Sequence, residues 1–447
     1  MKLFGTDGIR GIANKDLTPE LAYKIGKAGA HVLSDGQKGK IIIGKDTRVS
    51  GDMLEAALVA GITSMGIDVH LLDIIPTPAV AYLAKKYNAL AGIVISASHN
   101  PGEYNGIKFF NNKGFKLSNE IEREIENKIR NIEVLNHNPI GNDLGKVYDK
   151  KDGSNDYKDF LRTTINIDLT DIKVAMDCGN GALYKIGPEL IEELNGEVIA
   201  INTEPNGMNI NANCGSTNPE EVRRLVLEEE ADIGLSFDGD GDRIIAVDNK
   251  GNIMSGDHIL AICGTYLKSK NSLPKDTIVG TIMTNIGLDL YLEENDMSIV
   301  KTDVGDKYVL DKMLSSGYAL GGEQSGHIIF LDYNTTGDGL ATGLHLLEVM
   351  QSTEKSLEEL NAPMKVYPQT LENAEVKEEL KYKYLDNDKI IGEIQKIEGM
   401  FQGEGRVVIR PSGTEQLVRI MIEGKDQARI EKVAKDLAIL IEREIGN

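Results

Sequence analysis

Short apolar runs alternate with amphipathic stretches along the first third of the chain. Lys40–Gly44, Ile67–Leu72 and Leu90–Ile95 have the length and composition of buried strands. Helical signals lie between them. Thr18-Pro19-Glu20-Leu21 is a helix start, with Thr18 as N-cap and Pro19 at the first helical position. Ser50 is placed to cap a helix running to about Met65, and Thr77-Pro78 starts another. Asn119 with Glu122 opens a further helix, whose Ile121, Ile125, Ile129 and Ile132 fall on one stripe. This strand-helix alternation implies a parallel sheet with helices on both faces.

From Asn136 to about Tyr157 the chain turns polar and reads as a linker and the entry to a second domain. The pattern then restarts. Lys173–Asp177, Ile233–Phe237, Ile244–Val247 and Thr277–Met283 read as strands, with Thr284-Asn285 a turn. Three segments, near Ile41, Val174 and Ile278, share the plan strand, polar turn, helix. A fourth region starts near Val366, with a charged helical stretch, strands at Gly405–Arg410 and Leu417–Glu423, and a closing helix from about Asp426. The expected domains are 1–140, 155–253, 254–364 and 366–447.

The length of 447 residues agrees, since it exceeds one ordinary domain. A net charge of -21 sets the surface against nucleic acid and anionic membranes. An anionic substrate would need a local basic pocket, so arginines beside glycine-rich loops carry information. The three cysteines, Cys178, Cys214 and Cys263, are far apart and form no C-x-x-C pair, which fits a reducing compartment. The segment Met1–Asp7 lacks the apolar core of a signal peptide, and no run reaches the ~18 apolar residues of a membrane span. A soluble, cytoplasmic protein is expected.

The chemistry concentrates in loops. Ser96-Ala97-Ser98-His99-Asn100-Pro101 follows the Leu90–Ile95 strand, and ligands of open α/β sheets bind beyond strand carboxyl ends. Ser98 there is a nucleophile or a turn former. Asp238-Gly239-Asp240-Gly241-Asp242-Arg243 sets three carboxylates at alternate positions, with glycines that let the backbone fold tightly. Such oxygen clusters suit Mg²⁺. An EF-hand is excluded, because Arg243 stands where its glycine belongs and Asn249 where its closing glutamate belongs. A solvated acidic hairpin is the rival, disfavoured by repulsion among three close carboxylates.

Arg410-Pro411-Ser412-Gly413-Thr414, with Arg419 on the next strand, has the makings of an anion nest, against the alternative of an ordinary hairpin turn. Gly321-Gly322-Glu323-Gln324-Ser325-Gly326-His327 offers groups that read hydroxyls or amines, or is a turn with a surface histidine. Gly5–Gly11 is a glycine-rich loop holding Arg10, and Gly179-Asn180-Gly181 reads as a structural turn. The chain has no G-x-x-x-x-G-K-[ST] loop, no G-x-S-x-G elbow and no H-E-x-x-H, which disfavours a P-loop kinase and an α/β-hydrolase serine.

Taken together and in this order, the loops resemble those of the α-D-phosphohexomutases across nearly the whole chain. The resemblance rests on Ser96–Pro101 with Tyr104-Asn105-Gly106-Ile107-Lys108, on Asp238–Asp242, on Gly322–His327 and on Arg410–Arg419. It implies three similar mixed-sheet α/β domains plus a C-terminal α+β domain around a central cleft. It implies an isomerase phosphorylated on Ser98, one Mg²⁺ held by Ser98, Asp238, Asp240 and Asp242, and a sugar bisphosphate as activator. Arg243 would orient the phosphate. Ser412, Gly413 and Thr414 with Arg410 and Arg419 would grip the distal phosphate. Glu323 and Ser325 would hold sugar hydroxyls, with Gln324 or His327 on the amine side. Lys108 and His99 are the general-base candidates, and His99 has a structural loop role as its alternative. Arg10 would stabilise charge.

Gln324 points within the family to a hexosamine phosphate, exchanging glucosamine 6-phosphate and 1-phosphate on the way to UDP-N-acetylglucosamine. Glucose or mannose phosphates are the alternative, and a non-catalytic sugar-phosphate or metal-binding protein is the alternative of another class. A homodimer is left open. Two positions depart from the family pattern: Gln416 replaces a proline, and Lys307 an arginine.

Overall fold

The computed structural model describes residues 3–5, 7–135, 139–401, 403–412 and 416–446. Two compact units emerge, 1–281 with 300–362, and 282–299 with 363–447. The first unit opens with strands β1 (Ile9–Ile12), β2 (Lys40–Lys45), β3 (Asp68–Ile74), β4 (Ala91–Ile95), β5 (Tyr104–Asn111) and β6 (Val147–Asp149), in the order β1-β5-β4-β2-β3-β6. Helices α1 (Pro19–Ser34), α2 (Ser50–Thr63), α3 (Thr77–Lys86) and α4 (Asn119–Arg130) connect them.

The sheet is mixed, as the family resemblance implies, whereas strand-helix alternation alone implies a parallel one. β2 runs parallel to β3 and β4, but β5 is antiparallel to both β4 and β1. The link from Ile95 to Tyr104 is too short for a crossover helix, which needs about a dozen residues, so the chain must turn straight back. The polar linker is corrected in part as well: β6 emerges from it and pairs with β3, Val69 opposite Val147. Thr18 caps α1 as expected, accepting from the Leu21 N–H. Two caps differ by one position. Val49, with no side-chain cap, precedes α2, and Ser50 is its first residue. Ser118 rather than Asn119 caps α4, accepting from the Ile121 N–H. Ile125 and Ile129 of the expected stripe are buried in the first core.

The second sheet, β7 (Lys173–Asp177), β8 (Glu197–Ile201), β9 (Ile233–Phe237), β10 (Ile244–Asp248) and β11 (Ile253–Met254), has the order β11-β10-β9-β7-β8. β7 is parallel to β8 and β9, and β10 is antiparallel to β9. After β12 (Thr277–Thr281) and β13 (Ser298–Thr302), β14 (Leu320–Gly322) lies parallel to β12 and β15 (Ile328–Phe330) antiparallel to β14. One device therefore recurs. The serine, aspartate and Glu323–His327 loops are each the tight return between a strand with a parallel neighbour and its antiparallel partner. Each loop emerges where fully buried strands end, so rigid cores fix its ends.

The second unit carries β16 (Gln369–Glu375), β17 (Gly405–Pro411) and β18 (Leu417–Gly424), antiparallel in the order β16-β18-β17. Helices Asp388–Phe401 and Gln427–Ile445 contribute Ile390, Ile397, Ile430, Leu437 and Ile441 to its core. Arg410 of β17 stands opposite Arg419 of β18.

Candidate active site

The serine loop is held from beneath. Ser98 is buried and left-handed, with φ of 52°. Its Oγ donates to Asp238 Oδ2 at 2.6 Å, and its N–H donates to Ser96 Oγ at 2.9 Å. Ser96 Oγ in turn donates to Asp46. The Arg48 guanidinium, wholly buried, donates to the carbonyls of Ser98 (2.9 Å), Asn100 (2.8 Å), Tyr104 (3.0 Å) and Pro101, and its Nε to Asp46 Oδ2 (2.9 Å). His99 Nδ1 lies 3.4 Å from Ser98 Oγ. Burial first, then the Arg243 and Arg10 charges, lower the His99 imidazole to about 4, so it is neutral at neutral pH.

Above the serine lies the aspartate loop. Asp238, Asp240 and Asp242 are buried, with ligand oxygens within 4.8 Å of one another. Gly239 passes over the serine loop so closely that a Cβ there would stand 2.7 Å from the Ser98 carbonyl oxygen. Burial, then the Asp242 and Asp240 charges, drive the Asp238 carboxyl well above the ordinary range. Burial also disfavours the Asp242 anion, but Lys108, His327 and Arg243 outweigh it and hold its pKa well down. Asp240 Oδ1 and Asp242 Oδ1 are buried without a hydrogen-bond partner. Converging carboxylates with unpartnered oxygens fit a hard divalent cation such as Mg²⁺.

A ring of alternating charge closes around these aspartates. Lys108 Nζ lies 2.7 Å from Asp240 Oδ2, 2.9 Å from Asp7 Oδ2 and 3.8 Å from Asp242 Oδ2. Lys116 Nζ bridges Asp7 Oδ1 (2.6 Å) and Asp306 Oδ2 (2.5 Å). His327 stands between Asp306 and Asp242, at 3.6 Å from each. Lys108 is fully buried. Burial opposes its charge, but Asp240, Asp7 and Asp242 overcome that and keep it an ammonium. It is set to give a proton or stabilise charge, whereas His99 is the neutral acceptor near Ser98.

A cavity of about 550 Å³ opens beside the ring, with Asp7, Arg10, His99, Lys116, Asp242, Arg243, Asp306, Glu323, Ser325 and His327 on its walls. Glu323 Oε1 accepts from the Gly305 N–H at 3.0 Å. Gly326, at φ of 91°, is pressed against β10, where a Cβ would sit 1.9 Å from the Ile244 carbonyl oxygen. That contact locks the Glu323–His327 loop to the strand leaving the aspartate loop. His327 is no surface histidine: it is buried, and its Nε2 accepts from the Gly337 N–H at 2.9 Å. Gln324 is half-buried and not among the residues lining the cavity; its carbonyl accepts from the Gly256 N–H.

Family models of phosphoglucomutase/phosphomannomutase match the chain four times: alpha/beta/alpha domain I over 1–136, domain II over 155–251, domain III over 255–367 and the C-terminal domain over 371–440. This chain belongs to the phosphoglucomutase/phosphomannomutase family. It is an isomerase, a phosphomutase. A phosphoglucosamine mutase of Alkaliphilus metalliredigens is 57% identical over 446 residues, covering 100% of each chain. One of Clostridioides difficile is 52% identical over 446 residues, again covering 100% of each. Solved structures share the fold. A phosphoglucomutase/phosphomannomutase family protein of Burkholderia thailandensis aligns with a TM-score of 0.84 at 24% identity, over 99% of this chain and 97% of its own. The N-acetylphosphoglucosamine mutase of Aspergillus fumigatus, solved with GlcNAc-6P and magnesium, aligns with a TM-score of 0.69 at 17% identity, over 99% of this chain and 95% of its own.

The phosphomutase carries its arginine pair in the second unit. Arg410 and Arg419 face each other across β17 and β18. Burial first and then the Arg419 charge lower the Arg410 pKa, the signature of two cations crowded together. The Ser412 N–H donates to the Leu417 carbonyl, and the buried Lys381 ammonium donates to the Ser412 carbonyl at 2.8 Å. Gly413 and Thr414 lie outside the described residues. Lys307, the other departure in sequence, donates to Asn119 Oδ1 at 2.7 Å.

Sequence reasoning missed Asp46, Arg48, Lys116 and Asp306, and passed over Asp7 within the Gly5–Gly11 loop. Asp46-Thr47-Arg48 follows the carboxyl end of a buried strand. That placement is the one signal that could have drawn attention to Arg48.

Proposed function

We propose that this phosphomutase interconverts glucosamine 6-phosphate and glucosamine 1-phosphate through a phosphoserine on Ser98 and a bisphosphate intermediate. The observation that carries the reading is Ser98 Oγ, 2.6 Å from Asp238 Oδ2 at the edge of the three-aspartate cluster. Identities of 52–57% to phosphoglucosamine mutases over the full length support glucosamine over glucose or mannose.

Phosphorylated Ser98 gives its phosphoryl group to the free hydroxyl of the sugar monophosphate: the Oγ–P bond breaks, and a sugar O–P bond forms. The sugar hydroxyl gives up its proton, which the neutral imidazole of His99 can receive. His99 Nδ1, 3.4 Å from Ser98 Oγ, passes that proton to the freed serine oxygen. The bisphosphate turns over, its other sugar O–P bond breaks, the Ser98 Oγ–P bond forms again, and the serine proton ends on the released sugar oxygen. Mg²⁺ held by Asp238, Asp240, Asp242 and the phosphoserine would neutralise charge on the group in transit. Arg243 and Arg10 add cationic charge on the cavity wall. Glu323 and Ser325 orient the sugar. Within the second unit, Arg410, Ser412 and Arg419 are the groups suited to a phosphate. Occasional loss of the bisphosphate leaves Ser98 unphosphorylated, and a sugar bisphosphate reloads it. Among the described residues no helix is long and apolar enough to cross a membrane, which is compatible with the cytoplasmic location this reading requires.

The test compares glucosamine, glucose and mannose 6-phosphates side by side, with Mg²⁺ and glucose 1,6-bisphosphate, on the wild type and Ser98→Ala. Glucosamine 6-phosphate is expected to give the highest kcat/KM, and Ser98→Ala to lose both turnover and the phosphorylated mass. Preference for mannose or glucose would overturn the substrate, and normal turnover by Ser98→Ala would overturn the phosphoserine.

A further inference from the structure

The proposed reaction asks one serine to hold its Oγ in a fixed direction through loading, donation and recapture. The Oγ hydrogen bond to Asp238 supplies one anchor, and that donor is gone whenever Oγ carries a phosphoryl group. The direction is set by its backbone, and that backbone is left-handed, a conformation L-residues other than glycine, asparagine and aspartate seldom adopt. A strained backbone persists only when its surroundings over-determine it. The surroundings here are concentrated in one side chain.

We propose that Arg48 is a positioning residue for phosphoryl transfer: its buried guanidinium holds the Ser98 backbone in the left-handed conformation that directs Oγ at the aspartate cluster. The inference rests on the phosphoserine reading above. The guanidinium takes the carbonyls of Ser98, Asn100, Pro101 and Tyr104 as acceptors, so it gathers the loop on both sides of the serine. The circuit closes through Asp46, which accepts from Arg48 Nε and Ser96 Oγ, while Ser96 Oγ accepts from the Ser98 N–H. Both the N–H and the C=O of Ser98 are thus tied to one buried ion pair. Asn211 Nδ2 adds a second donor to the Ser98 carbonyl at 2.9 Å. A planar fork of five N–H groups suits this task, and a lysine ammonium cannot reach so many acceptors at once.

Arg48 is not among the residues lining the cavity that holds Glu323 and Ser325. Its loss should therefore slow transfer without weakening sugar binding. The experiment measures steady-state kinetics and single-turnover loading of Ser98 from glucose 1,6-bisphosphate, followed by intact mass, for wild type, Arg48→Lys, Ser96→Ala and Ser98→Ala. In loading, a sugar O–P bond breaks, the Ser98 Oγ–P bond forms, and the serine proton ends on the released sugar oxygen. Arg48→Lys is expected to lower kcat and the loading rate about 10²-fold, the cost typical of a 1 Å misplacement, with KM within about twofold. Ser96→Ala, which cuts the circuit and leaves the ion pair, is expected to lower both about 10-fold and serves if Arg48→Lys does not fold. Ile43→Val, a core trim in the neighbouring β2, should lower Tm and leave kcat unchanged, which separates positioning from stability.

A folded Arg48→Lys or Ser96→Ala with wild-type kcat and loading rate overturns the proposal. So does a rise in KM at constant kcat. If Ser98→Ala retains turnover, the phosphoserine reading has failed instead, and the two failures are told apart by that one variant.

Discussion

Lys108 Nζ lies 2.7 Å from Asp240 Oδ2, at the centre of three carboxylates and out of reach of solvent. The lysine occupies the electrostatic place of a cation beside a cluster that is itself suited to one. Its positive charge stabilises Asp7 and Asp242 as anions, and it opposes a further cation among the three aspartates of the loop. Replacement by the uncharged Lys108→Gln removes both effects. Activity is expected to fall at least about 10²-fold, the usual scale for a lost proton-transfer group. Mg²⁺ binding, measured by calorimetry on the unphosphorylated enzyme, is expected to tighten by roughly tenfold, about 1.4 kcal/mol. Weaker Mg²⁺ binding by the variant would contradict this charge balance.

The aspartate cluster makes a separate prediction about stability. Three buried carboxylates repel one another, and the Asp238 carboxyl is already displaced upward by that repulsion and by burial. Mg²⁺ should raise Tm by mass action, on the order of 3 kcal/mol at a hundredfold excess over Kd. Asp238→Asn is expected to be at least as stable as wild type without metal, and to gain nothing from Mg²⁺. EDTA should abolish turnover, and Mg²⁺ should restore it. A Tm for Asp238→Asn that still climbs with Mg²⁺ would remove Asp238 from the ligand set.

Arg410 and Arg419 stand opposite each other on two antiparallel strands, with like charges on one face. Charge-assisted hydrogen bonds contribute about 1.5–3 kcal/mol each, so Arg419→Gln should raise KM for the sugar phosphate by roughly 10- to 100-fold with a smaller change in kcat. Arg419→Lys should recover only part of this, because the bidentate geometry is lost. Phosphate ion should stabilise the wild type thermally and the Gln variant less. Equal stabilisation of both would place the distal phosphate elsewhere.

The four chemical loops were legible in the sequence because each packs its polar residues into one contiguous stretch on a strand end. The ring that supports them was not. Lys116 and Asp306 stand 190 residues apart, and no local pattern marks either as the other's partner. Strand direction was equally hidden, since alternation of apolar runs does not record whether a strand returns. The short Ile95–Tyr104 link held that information, because no crossover fits within it. The helix caps were misplaced by one residue where Val49-Ser50 and Ser118-Asn119 set a capping residue beside its neighbour. Arg48 was overlooked because its acceptors are backbone carbonyls, which no side-chain motif announces.

His258 makes the last prediction, and it concerns pH. Ser255 caps the helix Gly256–Ser269, and His258 Nδ1 accepts from the Ser255 N–H at 3.1 Å, closing a capping box with an imidazole in place of the usual carboxylate or amide. Only a ring with a bare Nδ1 can accept. Burial, opposed weakly by Asp248, lowers the imidazole to about 4, against an ordinary value near 6.5. Between those values the unfolded chain binds the proton and the folded chain does not, so stability falls as pH drops through that window. The full contribution is present above about pH 6.5, and its loss by pH 4 is on the order of 3 kcal/mol. His258→Gln keeps an acceptor at the same helical position and does not titrate. Urea unfolding of both proteins at intervals from pH 8.5 to pH 4 should show wild type losing more stability than His258→Gln by about that amount, with the two curves parallel above about pH 7. Parallel curves throughout would mean that His258 takes up its proton as readily in the folded protein as in the unfolded chain, and the capping role of its Nδ1 would fall with that result.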